Sequence, residues 1–128
     1  MLALLLLAAA AFPQEIREHD WRLFHVPEDG SLGLYVDTAS IEAKGTRRTA
    51  WIKEDRLAVD EHGLIRRVDR TQVDCRAKTA RLLASYQYGA GGELSDSFEL
   101  PEQEQKDVAV RAGSTTEAAL RHLCAMEP

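Results

Sequence analysis

The pattern of apolar and polar positions changes twice along the chain. It opens on an unbroken apolar run from Leu2 to Phe12, then passes into short alternating segments, and takes helical spacing only after Ser114. Alternation with period two predicts strands, and spacings of three and four residues predict a helix. We therefore expect an α+β fold, in which a C-terminal α-helix packs on one face of an antiparallel sheet.

Six segments carry the strand pattern, and turn residues separate them. They are Asp20–Val26, Leu32–Val36, Thr49–Lys53, Leu64–Cys75, Thr79–Tyr88 and Leu94–Leu100. In the fourth segment, Arg67 and Asp69 interrupt the apolar parity, which indicates a bulge or an exposed outer half.

The fifth segment alternates more regularly than the fourth. Its two predicted faces are Leu82, Ala84, Tyr86 and Tyr88 on one side, and Arg81, Ser85 and Gln87 on the other. Gly89–Gly92 then predicts a flexible turn into the last strand.

The C-terminal segment carries a helix start signal. Ser114 and Glu117 are spaced as a capping box, and Thr116, Leu120, Leu123 and Cys124 follow on one stripe. A helix of about three turns is unstable alone, so we expect this stripe to dock on the sheet.

The opening apolar run predicts a secretory signal peptide over residues 1–11. It is too short to span a bilayer, and Ala9 and Ala11 supply small residues for cleavage. No Lys or Arg precedes the run, so the initiator amine alone carries the charge unless the true start lies upstream. The alternative is a buried N-terminal helix or strand.

Length and composition predict one exported globular domain over residues 12–128. The chain has 128 residues, 45% hydrophobic and 29% charged, with a net charge of -5. Basic residues are interspersed with acidic ones, so we expect no nucleic-acid partner. The four histidines are scattered, and we expect no metal and no cofactor.

The two cysteines, Cys75 and Cys124, are an even count in a chain predicted to be exported. This favours a disulfide, which would attach the helix to the sheet because Cys124 lies on the docking stripe. The alternative is two unrelated buried thiols.

Five segments in order carry a family resemblance: DWRLF, LYVDTASI, AWIKEDR, VDCRAKTARLLASYQY and GSTTEAALRHLC. The chain resembles the surface-adhesin protein E family over roughly Asp20 to Cys124. The resemblance implies the same sheet-and-helix fold, a Cys75–Cys124 disulfide, export, pairing into a homodimer, and binding to host extracellular-matrix or plasma proteins. The family's namesake carries a lipid anchor, but here no cysteine lies directly after the predicted leader to accept one. We therefore expect a periplasmic or secreted protein of a Gram-negative-type bacterium.

The sequence offers no catalytic set. Ser85, His25 and Asp37 are present, but their spacing places none of them together, and Asp37 is better explained as a turn cap. We expect a non-catalytic envelope protein that binds a protein or a polymer. The alternatives are a small periplasmic hydrolase, or a structural or stress-related envelope protein without a specific ligand.

The candidate binding residues are basic and aromatic side chains on the fourth and fifth segments: Arg66, Arg70, Arg81, Tyr86 and Tyr88. On a solvated sheet face they would form a basic stripe ending in aromatic rings, suited to an acidic partner. The alternative is a face of mutually neutralising ion pairs. Trp21, Trp51 and Tyr35 are expected in the core.

Overall fold

A computed structural model gives the fold of the chain and describes residues 19–126. The described residues form eight β-strands and one α-helix. The strands are β1 Trp21–His25, β2 Leu32–Asp37, β3 Glu42–Lys44, β4 Arg47–Arg56, β5 Leu64–Asp74, β6 Thr79–Gly89, β7 Leu94–Glu99 and β8 Val108–Ala109, and the helix is α1 Thr115–Ala125. The predicted leader and the start of the predicted domain lie outside the described residues and stay predictions.

All eight strands belong to one antiparallel sheet. The strand order is β1-β2-β4-β5-β6-β7, while β3 pairs with β4 and β8 pairs with β6. The long strands β4, β5 and β6 lie at its centre, where turns as short as Cys75–Lys78 keep neighbours in sequence adjacent in space. The predicted antiparallel sheet with a C-terminal helix is confirmed.

Strand β6 departs from the predicted alternation. In β6 the register passes from Leu82 opposite Thr71 to Ala84 opposite Arg70, so that Leu83 is an extra residue. This bulge reverses the side-chain parity. The predicted grouping is therefore wrong: Leu82 lies on the face opposite Tyr86, and Arg81 lies on the same face as Tyr86.

Helix α1 begins where the capping box predicts. The Ser114 hydroxyl accepts a hydrogen bond from the Glu117 amide at 3.1 Å, and the Glu117 carboxylate accepts one from the Gly113 amide at 3.0 Å. Both bonds satisfy amide groups at or just before the first turn. The helix then buries Leu120 and Leu123 against the sheet.

The core lies between α1 and one face of the sheet. Its buried side chains come from β2, β4, β5, β6 and α1: Val36, Ala50, Ile52, Val73, Ala80, Ala119, Leu120 and Leu123. The helix has 11 residues and the central strands have 10 or 11. Because a helix rises about 1.5 Å per residue and a strand about 3.3 Å, the helix covers only part of this face. The remainder of the face is polar and borders a cleft described below.

A disulfide joins Cys75, just after β5, to Cys124 in the last turn of α1. The two Cα atoms lie 5.6 Å apart across a sequence separation of 49 residues. The predicted bridge is confirmed, and it attaches the helix to the turn between β5 and β6. Over residues 19–126, no helix has the length and apolar character that crossing a membrane requires.

Candidate binding surface

The candidate residues lie together on one face of the sheet. We call the side opposite α1 the open face. Across β5 and β6, Arg66 pairs with Tyr88, Arg70 with Ala84, and Gln72 with Arg81. Because alternate residues share a face, all five predicted binding residues fall on the open face. Arg81 joins them only because of the bulge at Leu83.

An aromatic cluster occupies the centre of the open face. Trp51 is 6% exposed and packs with Val68 and Ala84, while Trp21, Tyr86 and Tyr88 pack around them. The rings of Trp51 and Tyr86 lie 5.8 Å apart. Trp51 is buried as expected, whereas Trp21 remains partly exposed because β1 is an edge strand.

Lys53 extends this cluster towards β1 and β2. Its ammonium lies 4.8 Å from the ring centre of Trp21 and 4.7 Å from that of Tyr35. A cation between two aromatic faces is attracted by both ring quadrupoles. Tyr35, expected in the core, is only partly buried and forms one side of this arrangement. The sequence pattern does not indicate this arrangement, since the rings come from two other strands.

The N-terminal border of the cluster is fixed by His19 and Asp37. The imidazole stacks on Trp21 at 4.7 Å, and its Nδ1 lies 2.6 Å from a carboxylate oxygen of Asp37. The other oxygen of Asp37 accepts from the amides of Asp20 and Ala39. Asp37 therefore caps the turn that follows β2, as predicted, and holds the start of β1 against it.

Two of the candidate arginines pair with neighbouring acids. Arg66 lies 3.3 Å from Asp55, and Arg70 lies 3.8 Å from Glu42. The two arginine side chains are 41% and 36% exposed. Such pairs are screened by solvent and contribute little to stability.

The third candidate, Arg81, has a closer acidic partner. Its Nε donates to Asp107 at 2.8 Å, and Arg47 donates to the same carboxylate at 3.2 Å. These two donors hold the pKa of Asp107 far below its usual range. The arginines of the open face are therefore neutralised by acids. This arrangement matches the alternative to a basic stripe, a face of mutually neutralising ion pairs.

The comparison with known families assigns the chain. A profile of the family described as surface-adhesin protein E matches residues 21–125. The chain belongs to the surface-adhesin protein E family. The match covers every strand and the whole helix of this adhesin E chain.

Solved structures agree with this assignment at the level of the fold. Crystal form II of Haemophilus influenzae protein E is 11% identical, with a TM-score of 0.54 over 84% of this chain and 92% of that one. A second structure of Haemophilus influenzae protein E is 12% identical, with a TM-score of 0.51 over 90% of each chain. No curated protein sequence gives a significant match.

Ser85, which was considered for catalysis, and Asp74, at the end of β5, both have structural partners. Ser85 is fully buried and its hydroxyl donates to Asp69 at 2.6 Å. Asp74 accepts hydrogen bonds from the amides of Arg76 and Ala77, which lowers its pKa and shapes the turn before β6. Between residues 19 and 126, no group of three or more His, Cys, Asp or Glu side chains is placed to hold a metal ion.

Proposed function

We propose that this chain is an exported, non-catalytic binding module of the bacterial envelope, and that its open face binds a protein partner in the envelope or on a host surface. The family supports adhesion, because its namesake is a surface adhesin. The observation that carries the proposal is the gathering of Arg66, Arg70, Arg81, Tyr86 and Tyr88 around one aromatic cluster on a face that α1 leaves uncovered.

The residue types on this face favour protein recognition. Trp, Tyr and Arg are enriched among the residues that dominate the binding energy of protein interfaces. Tyr86 and Tyr88 are partly exposed and pack against the buried cluster of Trp51, Val68 and Ala84, so their rings offer contact area without losing much conformational freedom on binding.

The ion pairs of Arg66 and Arg70 do not oppose binding. Arg66 and Arg70 are paired through long, exposed contacts at 3.3 and 3.8 Å. Exposed pairs of this kind contribute between zero and about 1 kcal/mol, so a carboxylate of the partner replaces the internal acid at little cost. Arginine also offers a planar, multi-donor group that suits a carboxylate. We therefore expect an acidic partner surface.

The test compares two triple variants of the mature protein in binding to matrix and envelope protein fractions. Replacing Arg66, Arg70 and Arg81 by Ser should weaken capture of the partner at least tenfold. Replacing Arg22, Arg111 and Arg121 by Ser removes the same charge from exposed positions off the open face and is the matched control. Capture by the unmodified protein should fall as salt shortens the screening length from about 10 Å at 0.1 M to about 3 Å at 1 M.

A second variant tests the aromatic part of the surface. Replacing Tyr86 and Tyr88 by Ser should reduce capture while the circular dichroism spectrum stays unchanged. Equal loss of capture in the two arginine variants would indicate a general charge effect. Unchanged capture by the variant of Arg66, Arg70 and Arg81 would place the binding surface elsewhere.

The expected homodimer stays a prediction, and light scattering of the same preparations measures it.

A further inference from the structure

A polar cleft lies on the other side of the sheet, beside the first turn of α1. Two adjoining cavities of about 330 and about 60 Å³ share four lining residues, Arg67, Asp69, Thr71 and Thr116. We call their union the helix-side cleft. Its larger part falls at the lower end of the range of volumes, about 300–1,000 Å³, that is typical of small-ligand sites.

The lining of the helix-side cleft combines apolar side chains with a charged pair, Arg67 and Asp69, which we call its floor. Ala80, Leu82, Val108 and Val110 are among the residues that line the larger cavity. Leu34, Ile52 and Ala119 line the smaller one. An apolar enclosure around a few polar groups is the usual composition of a site that orients a small molecule.

The charged floor is held in place by neighbouring strands. Arg67 and Asp69 lie two residues apart on β5 and face the side that carries α1. The Asp69 Oδ1 accepts from the buried hydroxyl of Ser85 at 2.6 Å, and Gln87 in turn donates to Ser85 at 3.3 Å. This chain of hydrogen bonds fixes one oxygen of Asp69 and leaves the other facing Arg67.

The pair itself is incompletely satisfied. The Nη2 of Arg67 lies 3.5 Å from the Oδ2 of Asp69, which is longer than a charge-assisted hydrogen bond of about 2.7–2.9 Å. The Nε of Arg67 is buried and has no hydrogen-bond partner among residues 19–126. An unsatisfied buried donor of this kind costs stability, so the guanidinium of Arg67 makes fewer hydrogen bonds than it can donate.

The charges around the floor decide which ligand fits. Arg67 and Asp69 are opposite in sign, Glu54 is paired with Arg56 at 2.9 Å, and Arg81 is held by Asp107. Arg111 borders the larger cavity and is exposed. A ligand with a single charge would pair with one floor residue and be repelled by the other. A neutral molecule with adjacent opposite charges satisfies both residues.

We propose that the helix-side cleft binds a free α-amino acid with an apolar side chain. Its carboxylate accepts from the terminal nitrogens of Arg67, whose side chain is 37% exposed, and its ammonium donates to the Oδ2 of Asp69. The apolar side chain lies against Leu82, Val108 and Val110. Arg81 borders both this site and the open face. The residues that hold the ligand's two charges, Arg67 and Asp69, are not part of the proposed adhesion surface, so the two proposals stand or fall separately.

The test is a titration of the mature protein with L-leucine, followed by amide NMR shifts and calorimetry. Saturable shifts are expected at Asp69 and Thr116. Arg67→Gln and Asp69→Asn should each weaken binding at least tenfold. Arg66→Gln changes the neighbouring arginine on the open face and should alter the Kd by less than twofold. Val108→Trp fills the cleft from a position on β8 where the native side chain is 63% exposed, so it blocks binding without disturbing the core.

Three further probes separate the charge requirements. Acetate offers a carboxylate alone, n-butylamine an ammonium alone, and N-acetyl-L-leucinamide the apolar side chain without either charge. Each should bind at least tenfold more weakly than L-leucine. A Kd for L-leucine weaker than about 10 mM overturns the proposal. So does equal binding of any of the three probes, or full binding by the folded Val108→Trp variant.

Discussion

At the scale of single residues, the charge of Asp69 bears directly on the stability of the folded state. Burial raises its pKa above the usual value of 3.8, and the nearby Glu54 acts in the same direction. The hydrogen bond from Ser85 and the charge of Arg67 oppose this rise without cancelling it. The ionised form is therefore less favourable in the folded protein than in the unfolded chain.

This predicts a dependence of stability on pH. Because the folded-state pKa is raised, the folded protein retains a proton that the unfolded chain has lost, and the free energy of unfolding falls as pH rises through the window above about 3.8. Asp69→Asn keeps the acceptor for Ser85 and removes the titration. Relative to the unmodified protein, the variant should gain stability between about pH 3 and pH 7, measured by urea unfolding.

Asp60 supplies a control of opposite sign. Its pKa is lowered by hydrogen bonds from the amides of Leu64 and His62, so its contribution is present above the unfolded pKa and is lost as pH falls. Asp60→Asn should therefore lose stability relative to the unmodified protein over the same rise in pH. A parallel response of the two variants would contradict the assignment of Asp69.

At the scale of elements, strand positions and the helix start were predictable, but side-chain parity in β6 was not. Leu82, Leu83 and Ala84 are three consecutive apolar residues, and a run of this kind fits either face. Only the pairing with β5 shows which residue is extra.

The interruption of the apolar pattern of β5 at Arg67 and Asp69 has a different cause. These residues face the helix-side cleft, where charged groups are tolerated. A local pattern cannot indicate this, since the cleft is formed by α1.

The start of α1 permits a direct test of the capping box. Ser114→Ala removes the acceptor of the Glu117 amide and should lower the free energy of unfolding by about 1 kcal/mol. Ser114→Asp restores an acceptor and should recover most of the loss. Urea unfolding monitored by far-ultraviolet circular dichroism measures both. Ser97→Ala is the control, because Ser97 is exposed on the edge strand β7. Equal stability of all four proteins would mean that the cap contributes nothing.

At the scale of the whole molecule, the sequence predicted the architecture better than the surface. The fold class follows from periodicity, and the bridge follows from two cysteines together with the helix stripe. The aromatic cluster of the open face required the sheet order, because Trp21, Tyr35 and Lys53 come from β1, β2 and β4. The acids that neutralise the arginines are equally distant in sequence. Asp107 lies 26 residues from Arg81 and Glu42 lies on β3. Long-range pairing of this kind has no periodic signature.

The disulfide gives the prediction that concerns the whole chain. It closes a loop of 49 residues, and the chain-entropy model assigns such a loop about 4 kcal/mol. Replacing Cys75 and Cys124 together by Ala should therefore cost about 2–5 kcal/mol in the free energy of unfolding. The loss should be greatest at α1, because Leu123 is fully buried and becomes solvated when the helix leaves the sheet. Hydrogen exchange should show faster exchange in α1 than in β4 and β5.

The control for this variant is the unmodified protein with and without a reductant. Reduction should lower its stability towards that of the double variant, and the double variant should not respond to the reductant. Thiol titration of the unmodified protein, unfolded without reductant, should find no free thiol. Two free thiols, or a double variant as stable as the unmodified protein, would mean that the attachment of α1 rests on Leu120, Leu123 and their apolar contacts alone.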